Sequence, residues 1–264
     1  VMVDHEGGRV VRFSSGVTPF PDALTAGRSQ PPEAIERQGA VEAEELRRLG
    51  IQVNLAPCVD VLVAGSDPVI GDRSYGSDPE RVSTLGAARI RGLQQHGVAA
   101  CAKHFPGLGA VQRDPHKTLP TIMLERPAME TVHLPPFRAA LAAGVATVMS
   151  SHVCYPALGD PPGLPATFSS HLIRDLLRQR MGFDGLILTD DLEMGALRTF
   201  GTIGEAAVRA TASGHDMLLI CSELAAQKEA FSRLRRAYRE GRLSTVELEL
   251  SVEKITSLRK KLLP

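Results

Sequence analysis

Short apolar runs alternate with amphipathic stretches along almost the whole chain, and this alternation constrains the fold more than any other feature. Each run is rich in Val, Ile, Leu or Ala at consecutive positions, which is typical of strands buried on both faces of a parallel sheet. The six runs are Val1–Asp4, Ile51–Leu55, Val98–Lys103, Val145–Ser150, Gly185–Asp190 and Asp216–Cys221. Repeated strand–helix units predict an α/β fold. The 264 residues suit one domain, residues 1–264, of about the size of a barrel.

Prolines and capping residues mark helix starts between these runs, and glycines mark helix ends. The predicted helices include Glu33–Leu49, Val82–Gln95, His171–Met181, Glu223–Glu240 and Ser244–Leu263. The last begins with Ser244-Thr-Val-Glu247, a capping-box pattern in which the Ser244 side chain caps the helix.

Charge and cysteine content narrow the possible partners. The 30 basic residues balance 30 acidic ones, so nothing suggests nucleic acid or anionic membrane, and a small or neutral molecule is the expected partner. No run of about 18 apolar residues is present, so no membrane span is predicted. The cysteines are widely spaced and lie mostly in or beside apolar runs, which predicts free thiols in the core; they are Cys58, Cys101, Cys154 and Cys221.

Clusters of polar residues lie at the ends of five apolar runs, where a hydrophobic core would not accommodate polar side chains. They are Asp4-His5-Glu6, Asn54, Lys103-His104, Ser150-Ser151-His152 and Asp190-Asp191. In a (β/α)8 barrel such residues emerge at the carboxyl face, where the loops form the active site. One cluster alone could equally be a helix cap or a satisfied ion pair, but five at equivalent positions favour an active site.

The fifth run ends in two adjacent carboxylates, Asp190 and Asp191. Their side chains must point in different directions, because successive side chains of a strand lie on opposite faces. A carboxylate held at a barrel mouth can attack the anomeric carbon of a sugar and form a glycosyl ester. The alternative is that these acids cap the following helix, an interpretation that fits Asp191 better than Asp190.

A polar loop rich in proline and glycine follows the third run and carries Asp114 and His116. The carboxylate can hold one imidazole nitrogen as a donor and leave the other to exchange a proton, which makes an acid/base pair. The open alternatives are a surface hydrogen bond at an Asp-Pro turn and a metal site formed with His104. The spacing of these residues matches no zinc signature, so no metal is predicted.

Five sequence strings carry a family resemblance. They are Asp4-His-Glu-Gly-Gly-Arg-Val-Val-Arg12-Phe, Asn54-Leu-Ala-Pro57, Gly71-Asp-Arg73-Ser-Tyr-Gly76, Lys103-His104-Phe-Pro-Gly107 and Thr189-Asp190-Asp191-Leu-Glu-Met194. In this order they resemble glycoside hydrolase family 3, in its bacterial β-N-acetylglucosaminidase branch, over nearly the entire chain. The glucosidase members typically follow the nucleophile with Trp, whereas this chain has no Trp.

The resemblance implies a retaining enzyme in which Asp190 is the nucleophile and the Asp114–His116 pair is the acid/base. Met194 would line the acetyl side, although plain packing is the commoner role of such a methionine. The chain departs from the family pattern at Leu108, where His is usual, and at Ala110, where Asp is frequent, so its loop is less polar. The residues that the resemblance assigns to the sugar pocket are Asp4, Arg12, Arg73, Lys103 and His104.

By the same resemblance, the expected activity is removal of terminal β-linked N-acetylglucosamine without a cofactor. Peptidoglycan-derived muropeptides would be the substrates and the bacterial cytoplasm the compartment. One open alternative is a family member of other specificity, either β-glucosidase-like or phosphate-using. The other is a catalytically silent glycan-binding relative, against which the presence of Asp114, His116 and Asp190 argues.

A complete barrel has eight strand–helix units, and six are visible here. In the family, the Asp-x-Glu-Gly-Gly-Arg string ends the third strand. We therefore expect an incomplete (β/α)8 TIM-type barrel whose first two units are missing from this sequence. The strands Val1–Asp4 and Asp216–Cys221 should then be the two edge strands of the sheet, and their apolar faces should be exposed.

Overall fold

The computed structural model describes residues 1–262, and six strands lie within them. They are β1 (Met2–Val3), β2 (Val53–Asn54), β3 (Ala99–Phe105), β4 (Thr147–Ser150), β5 (Leu186–Asp191) and β6 (Met217–Leu219). Each strand overlaps one of the six predicted runs, and β3 and β5 extend beyond theirs to Phe105 and Asp191. The strand order in the sheet follows the chain order, and the ladders β1–β2, β2–β3 and β5–β6 are parallel.

Helices separate the strands. They are α1 (Ala23–Ser29), α2 (Pro32–Arg48), α3 (Pro79–Gln95), α4 (Arg126–Ala128), α5 (Leu134–Ala142), α6 (Ile203–Ala212), α7 (Leu224–Arg239) and α8 (Thr245–Leu262). Two further segments, Met129–His133 and His171–Arg180, are π-helical. All five predicted helices are present with small shifts at their ends, and Leu263, the predicted end of the last one, lies outside the described residues.

The predicted cap of α8 is confirmed in part. Ser244 Oγ accepts the Glu247 N–H at 3.3 Å, as a capping serine should. The Glu247 carboxylate binds the guanidinium of Arg174 instead of returning to the cap. A complete capping box occurs at α6, where the Thr202 and Glu205 side chains each accept the other residue's backbone N–H.

The chain divides into two compact units, and the prediction of one domain stays a prediction. The first unit comprises Val1–Ala110, Leu124–Val148 and the residues from Lys260 onward. The second comprises Val111–Met123 and Met149–Arg259.

In the first unit, β1, β2 and β3 form a continuous parallel ladder, in which Met2 pairs with Val53 and Val53 pairs with Ala99. All residues of β3 are buried. Helices α2 and α3 approach each other closely because glycine lies at their contact: a Cβ on Gly92 would lie 2.1 Å from the carbonyl oxygen of Glu36. A larger residue at position 92 would therefore force the two helices apart.

In the second unit, β5 pairs with β6 through Leu188–Met217 and Asp191–Leu219, with an irregular register between these pairs. A buried apolar cluster connects the segment after β5 to α6 and α7, and it includes Leu192, Ala207 and Ala230. Packing of the residues that follow β5 therefore fixes the end of this strand.

Parallel strands in chain order, each followed by helical structure, form the topology of a TIM-type (β/α)8 barrel, with six of the eight units within residues 1–262. The predicted fold class is confirmed. At the two ends of the strand order, β1 and β6 are only partly buried, whereas β3 is buried throughout.

One prediction about the core is wrong. Cys58, Cys101 and Cys154 are buried, but Cys221 is exposed, because β6 ends at Leu219 and the chain has left the sheet at that point. No disulfide joins the four cysteines, all of which lie in the described part of the chain. In that part, no helix is long and apolar enough to cross a membrane.

Candidate active site

Four charged side chains form a cluster near the carboxyl ends of β1 and β3 in the first unit. Lys103 Nζ lies 2.6 Å from Asp4 Oδ1 and 2.6 Å from Glu6 Oε1. Arg73 donates two hydrogen bonds to Glu6, from Nε to Oε2 at 2.9 Å and from Nη2 to Oε1 at 2.8 Å. Two cations and two anions therefore balance, and the bidentate pair orients the guanidinium.

Mutual attraction keeps the buried members of this cluster charged. Burial acts to raise the pKa of Glu6, but Lys103 and Arg73 outweigh it and hold that pKa well below its usual range. Burial acts to lower the pKa values of Lys103 and Arg73, but Glu6 and Asp4 together raise the pKa of Lys103, and the hydrogen bonds and negative charge of Glu6 raise that of Arg73. The cluster thus offers fixed charged donors and acceptors, which suit sugar hydroxyls.

Solvent reaches the cluster at Asp4, whose side chain is 33% exposed, whereas that of Lys103 is 2% exposed. Arg12 lies at the margin, with Nη2 3.9 Å from Asp4 Oδ2. The structure therefore brings together the predicted residues Asp4, Arg73 and Lys103. Glu6 was absent from the predicted site, although it lies in the polar cluster that ends the first run.

Asp60, a second residue that the sequence analysis missed, anchors His104. Its Oδ2 lies 2.7 Å from His104 Nδ1 and accepts the His104 backbone N–H at 3.2 Å, and its Oδ1 accepts the Leu108 N–H at 2.5 Å. Burial acts to raise the pKa of Asp60, but His104 and these hydrogen bonds hold it below its usual value. The sequence did contain a signal for Asp60, which is the only acid in the apolar stretch Leu55–Ala64. A charged residue buried in such a stretch requires partners.

Cys58, Asp60 and His104 also form the one group of potential metal ligands found within residues 1–262, with donor atoms within 4.8 Å of one another. The Cys58 thiol donates to Asp60 Oδ2 at 3.2 Å, and burial raises the pKa of this thiol well above its usual value. Because the thiol stays protonated and the carboxylate already accepts several hydrogen bonds, we interpret the group as a network that holds His104.

In the second unit, β5 ends at two carboxylates with different partners. Asp191 Oδ1 accepts the backbone N–H groups of Glu193 at 3.1 Å and Cys221 at 3.3 Å, and burial raises the pKa of Asp191. Asp190 is half-buried, and its Oδ1 accepts the Asp191 N–H at 2.9 Å. Asp191 therefore stabilises the turn after β5, which is the kind of role that the sequence favoured for it over Asp190.

His152, from the predicted polar cluster after β4, supports the same strand end. The side chain is buried, Nε2 donates to the Asp191 carbonyl at 2.9 Å, and Nδ1 lies 2.5 Å from Thr167 Oγ1. Because a carbonyl oxygen only accepts, Nε2 carries a proton. His152 thus connects β5 to the loop that contains Thr167.

The loop that carries Asp114 and His116 is exposed. His116 Nδ1 lies 2.7 Å from Asp114 Oδ1, which also accepts the His116 backbone N–H at 2.9 Å. Burial acts to raise the pKa of Asp114, but the hydrogen bonds from His116 hold it below its usual value. Because an ionised carboxylate only accepts hydrogen bonds, Nδ1 of His116 carries a proton in this pair.

Backbone hydrogen bonds join this loop to the turn after Asp190 within the second unit. Gly195 N–H donates to the His116 carbonyl at 3.0 Å, and Ala196 N–H donates to the Pro115 carbonyl at 3.0 Å. A Cβ on Gly195 would lie 2.5 Å from the His116 oxygen, so this approach requires glycine. The predicted nucleophile strand and the predicted acid/base loop are therefore connected.

Two other residues that the sequence singled out, Met194 and Leu108, are buried. Met194 precedes the 3-10 helix Gly195–Phe200, and its N–H donates to the Asp191 carbonyl at 3.1 Å. Contact of Met194 with an acetyl group stays a prediction. Leu108 binds Asp60 through its backbone N–H, a contact that does not depend on the identity of the side chain.

Comparison with known proteins identifies relatives along nearly the whole chain. The glycosyl hydrolase family 3 N-terminal domain matches residues 1–258. The chain is 39% identical to the β-hexosaminidase of Nitrosomonas eutropha, with 89% of this chain and 68% of that protein covered. It is 39% identical to the β-hexosaminidase of Thiobacillus denitrificans, with 88% of this chain and 65% of that protein covered.

A solved structure is also similar, that of a glycoside hydrolase family 3 β-N-acetylglucosaminidase from Paenibacillus sp. FPU-7. The TM-score is 0.96 at 41% sequence identity, with 99% of this chain and 49% of that chain covered. The chain thus spans about two thirds of the length of the two β-hexosaminidases and about half of the solved enzyme.

Proposed function

The chain belongs to glycosyl hydrolase family 3, and from that premise we propose that it removes terminal β-linked N-acetylglucosamine by double displacement. Asp190 is the nucleophile, and the Asp114–His116 pair is the acid/base. The names of the relatives support the substrate class. The observation that carries the proposal is the hydrogen-bonded connection between the His116 loop and the turn after Asp190.

In the first step, Asp190 attacks the anomeric carbon as the bond to the leaving oxygen breaks, and His116 Nε2 gives its proton to that oxygen. Asp114 stays ionised and keeps the Nδ1–H of His116 paired, so the imidazole donates from Nε2 alone. The product of this step is a glycosyl ester on Asp190.

In the second step, the unprotonated Nε2 takes a proton from water, whose oxygen attacks the anomeric carbon and displaces Asp190. Two inversions retain the β configuration. On the family resemblance, we also propose that Asp4, Arg12, Arg73, Lys103 and His104 bind the hydroxyls of the sugar.

Covalent labelling tests the nucleophile directly. We expect a slow 5-fluoro N-acetylglucosaminyl fluoride to add one sugar to the protein, on the peptide that contains Asp190. Asp190→Ala should take no label and lose several orders of magnitude in turnover while its near-ultraviolet circular dichroism is unchanged. Asp191→Asn is the matched control and should still be labelled. A label on any other residue would reject the assignment.

For the finer specificity, we propose peptidoglycan-derived muropeptides as substrates and the bacterial cytoplasm as the compartment, on the family resemblance. The kcat/KM for N-acetylglucosaminyl-anhydro-N-acetylmuramoyl peptide should exceed that for chitobiose, and the reverse order would reject the muropeptide proposal. Rates should not rise with inorganic phosphate; a glycosyl phosphate product would show that phosphate, not water, is the acceptor.

A further inference from the structure

One exposed side chain of the second unit, that of Arg209 on α6, covers two aromatic rings. Its Cζ lies 4.3 Å from the ring centroid of Phe168 and 5.1 Å from that of Phe200. The two rings meet edge to face, with centroids 5.4 Å apart, which is a favourable arrangement for aromatic side chains. Because a guanidinium is attracted to the negative face of an aromatic ring, Arg209 holds the two rings together.

The first of these rings is connected to the acid/base loop. Phe200 ends a six-residue 3-10 helix that begins at Gly195. The N–H groups of Gly195 and Ala196 donate to the carbonyls of His116 and Pro115. A 3-10 helix has poor hydrogen-bond geometry, so its position depends on the packing at its far end, where Phe200 lies against the buried apolar cluster of this unit.

The second ring is connected to the end of β5. Phe168 ends another 3-10 helix, in the loop after β4. The residue before it, Thr167, has its Oγ1 2.5 Å from His152 Nδ1, and His152 Nε2 donates to the Asp191 carbonyl at 2.9 Å. Phe168 is buried, so a shift of its ring also shifts Thr167 and the strand end that carries the proposed nucleophile.

We propose that Arg209 is a positioning residue that fixes the nucleophile and the acid/base loop relative to each other, by holding the Phe168 and Phe200 rings together. Because this role concerns catalysis, it rests on the proposed function. In the first step of a retaining glycosidase, the acid protonates the leaving oxygen while the nucleophile attacks, so both groups must be aligned with the same bond. Arg209 acts through the two rings and not through contact with the sugar.

Two substitutions at Arg209 test whether its cation matters. Arg209→Met removes the charge and keeps a long apolar side chain. It should lower kcat/KM for a disaccharide by about 2- to 30-fold, the range that one or two lost cation–π contacts allow. Arg209→Lys keeps a cation and should recover part of this loss. Because the side chain is exposed, neither substitution should prevent folding.

Two ring substitutions separate the two connections. Phe200→Leu should displace the His116 loop, so a disaccharide should lose more kcat/KM than an activated aryl glycoside, whose leaving group departs without a proton. Phe168→Leu should displace the nucleophile, so covalent labelling by the 5-fluoro glycosyl fluoride should become slower. Arg209→Met should show both effects.

Phe183→Leu is the matched control. Arg178 covers the Phe183 ring at 5.4 Å, and this ring precedes β5, at the end of the strand opposite Asp190. The control should lower the free energy of unfolding as the other ring variants do, but the leaving-group dependence and the labelling rate should be unchanged. The same purely structural result in Arg209→Met overturns the proposal, and so does an equal loss on both substrates with unchanged labelling.

The histidine rings give a measurement that needs no turnover. In ¹H–¹⁵N correlation spectra of histidine-labelled protein, the ring signals of His116 and His152 are assigned from His116→Gln and His152→Gln. Both signals should shift in Arg209→Met and keep their positions in Phe183→Leu. Unchanged signals in Arg209→Met overturn the inference. Shifted signals in a protein whose wild type does not hydrolyse the substrates would reject the proposed activity and support the positioning role.

Discussion

The buried Asp60–His104 pair and the exposed Asp114–His116 pair use the same hydrogen bonds in opposite surroundings. The side chains of the first pair are 0% and 5% exposed, and those of the second are 22% and 59% exposed. In the buried pair, packing and the additional donors to Asp60 leave one arrangement of the histidine. In the exposed pair, the imidazole is largely open to solvent, as the proposed acid/base role requires. The same two residue types thus form a fixed pair or a solvent-accessible pair according to burial.

The largest expected effect is on turnover, because we propose the exposed pair as the acid/base. His116→Ala should lower kcat/KM for a disaccharide by about 10²- to 10⁴-fold, the usual contribution of a general acid. With an activated aryl leaving group the loss should be much smaller, because that group departs without a proton. His104→Gln, the control from the buried pair, should weaken both substrates equally. Equal losses on both substrates in His116→Ala would remove it from the acid role.

The next effect is on stability, and here the buried pair dominates. Asp60→Ala leaves several buried donors without an acceptor and should lower the free energy of unfolding by about 3–5 kcal/mol, as for a broken buried pair. Asp114→Ala, its exposed counterpart, should lower it by less than about 1 kcal/mol. Urea unfolding at pH 7 measures both. Similar losses would mean that burial does not distinguish the two pairs.

The smallest effect concerns pH. Both aspartates have folded-state pKa values below the usual value, so each contributes stability that is present above an ordinary aspartate pKa of about 3.9 and is lost as the pH falls toward the depressed value. Asp60→Asn should flatten the acid limb of the stability curve more than Asp114→Asn does. Urea unfolding from pH 7 to pH 3 tests this order.

Salt gives a control for that comparison. Added sodium chloride should reduce the contribution of the exposed Asp114 pair and leave that of the buried Asp60 pair nearly unchanged, because screening acts on exposed charges. An equal salt response of the two variants would contradict the assigned difference in burial.

Much of the fold could be predicted because its signals are local. The six apolar runs matched six strands, and the helix after Pro31 begins one residue from the predicted start. Exposed Cys221 was missed because apolar sequence continues past Leu219 while the strand does not. No bounds were predicted for the helices α1, α5 and α6, and α6 has a complete capping box at Thr202 that was available as a signal.

The sequence by itself determined the parallel strand–helix alternation, the polar ends of the strands and the Asp114–His116 pair, because each of these depends on neighbouring residues or on a short period. Only the tertiary structure decided that Glu6 joins Lys103 to Arg73, that Asp191 is engaged by backbone N–H groups, and that Asp60 holds His104. These contacts pair residues that are distant in the chain: Asp60 and His104 are 44 positions apart, and Glu6 and Arg73 are 67 positions apart. A buried charge requires a partner, but its own neighbourhood in the chain does not say which distant residue will supply it.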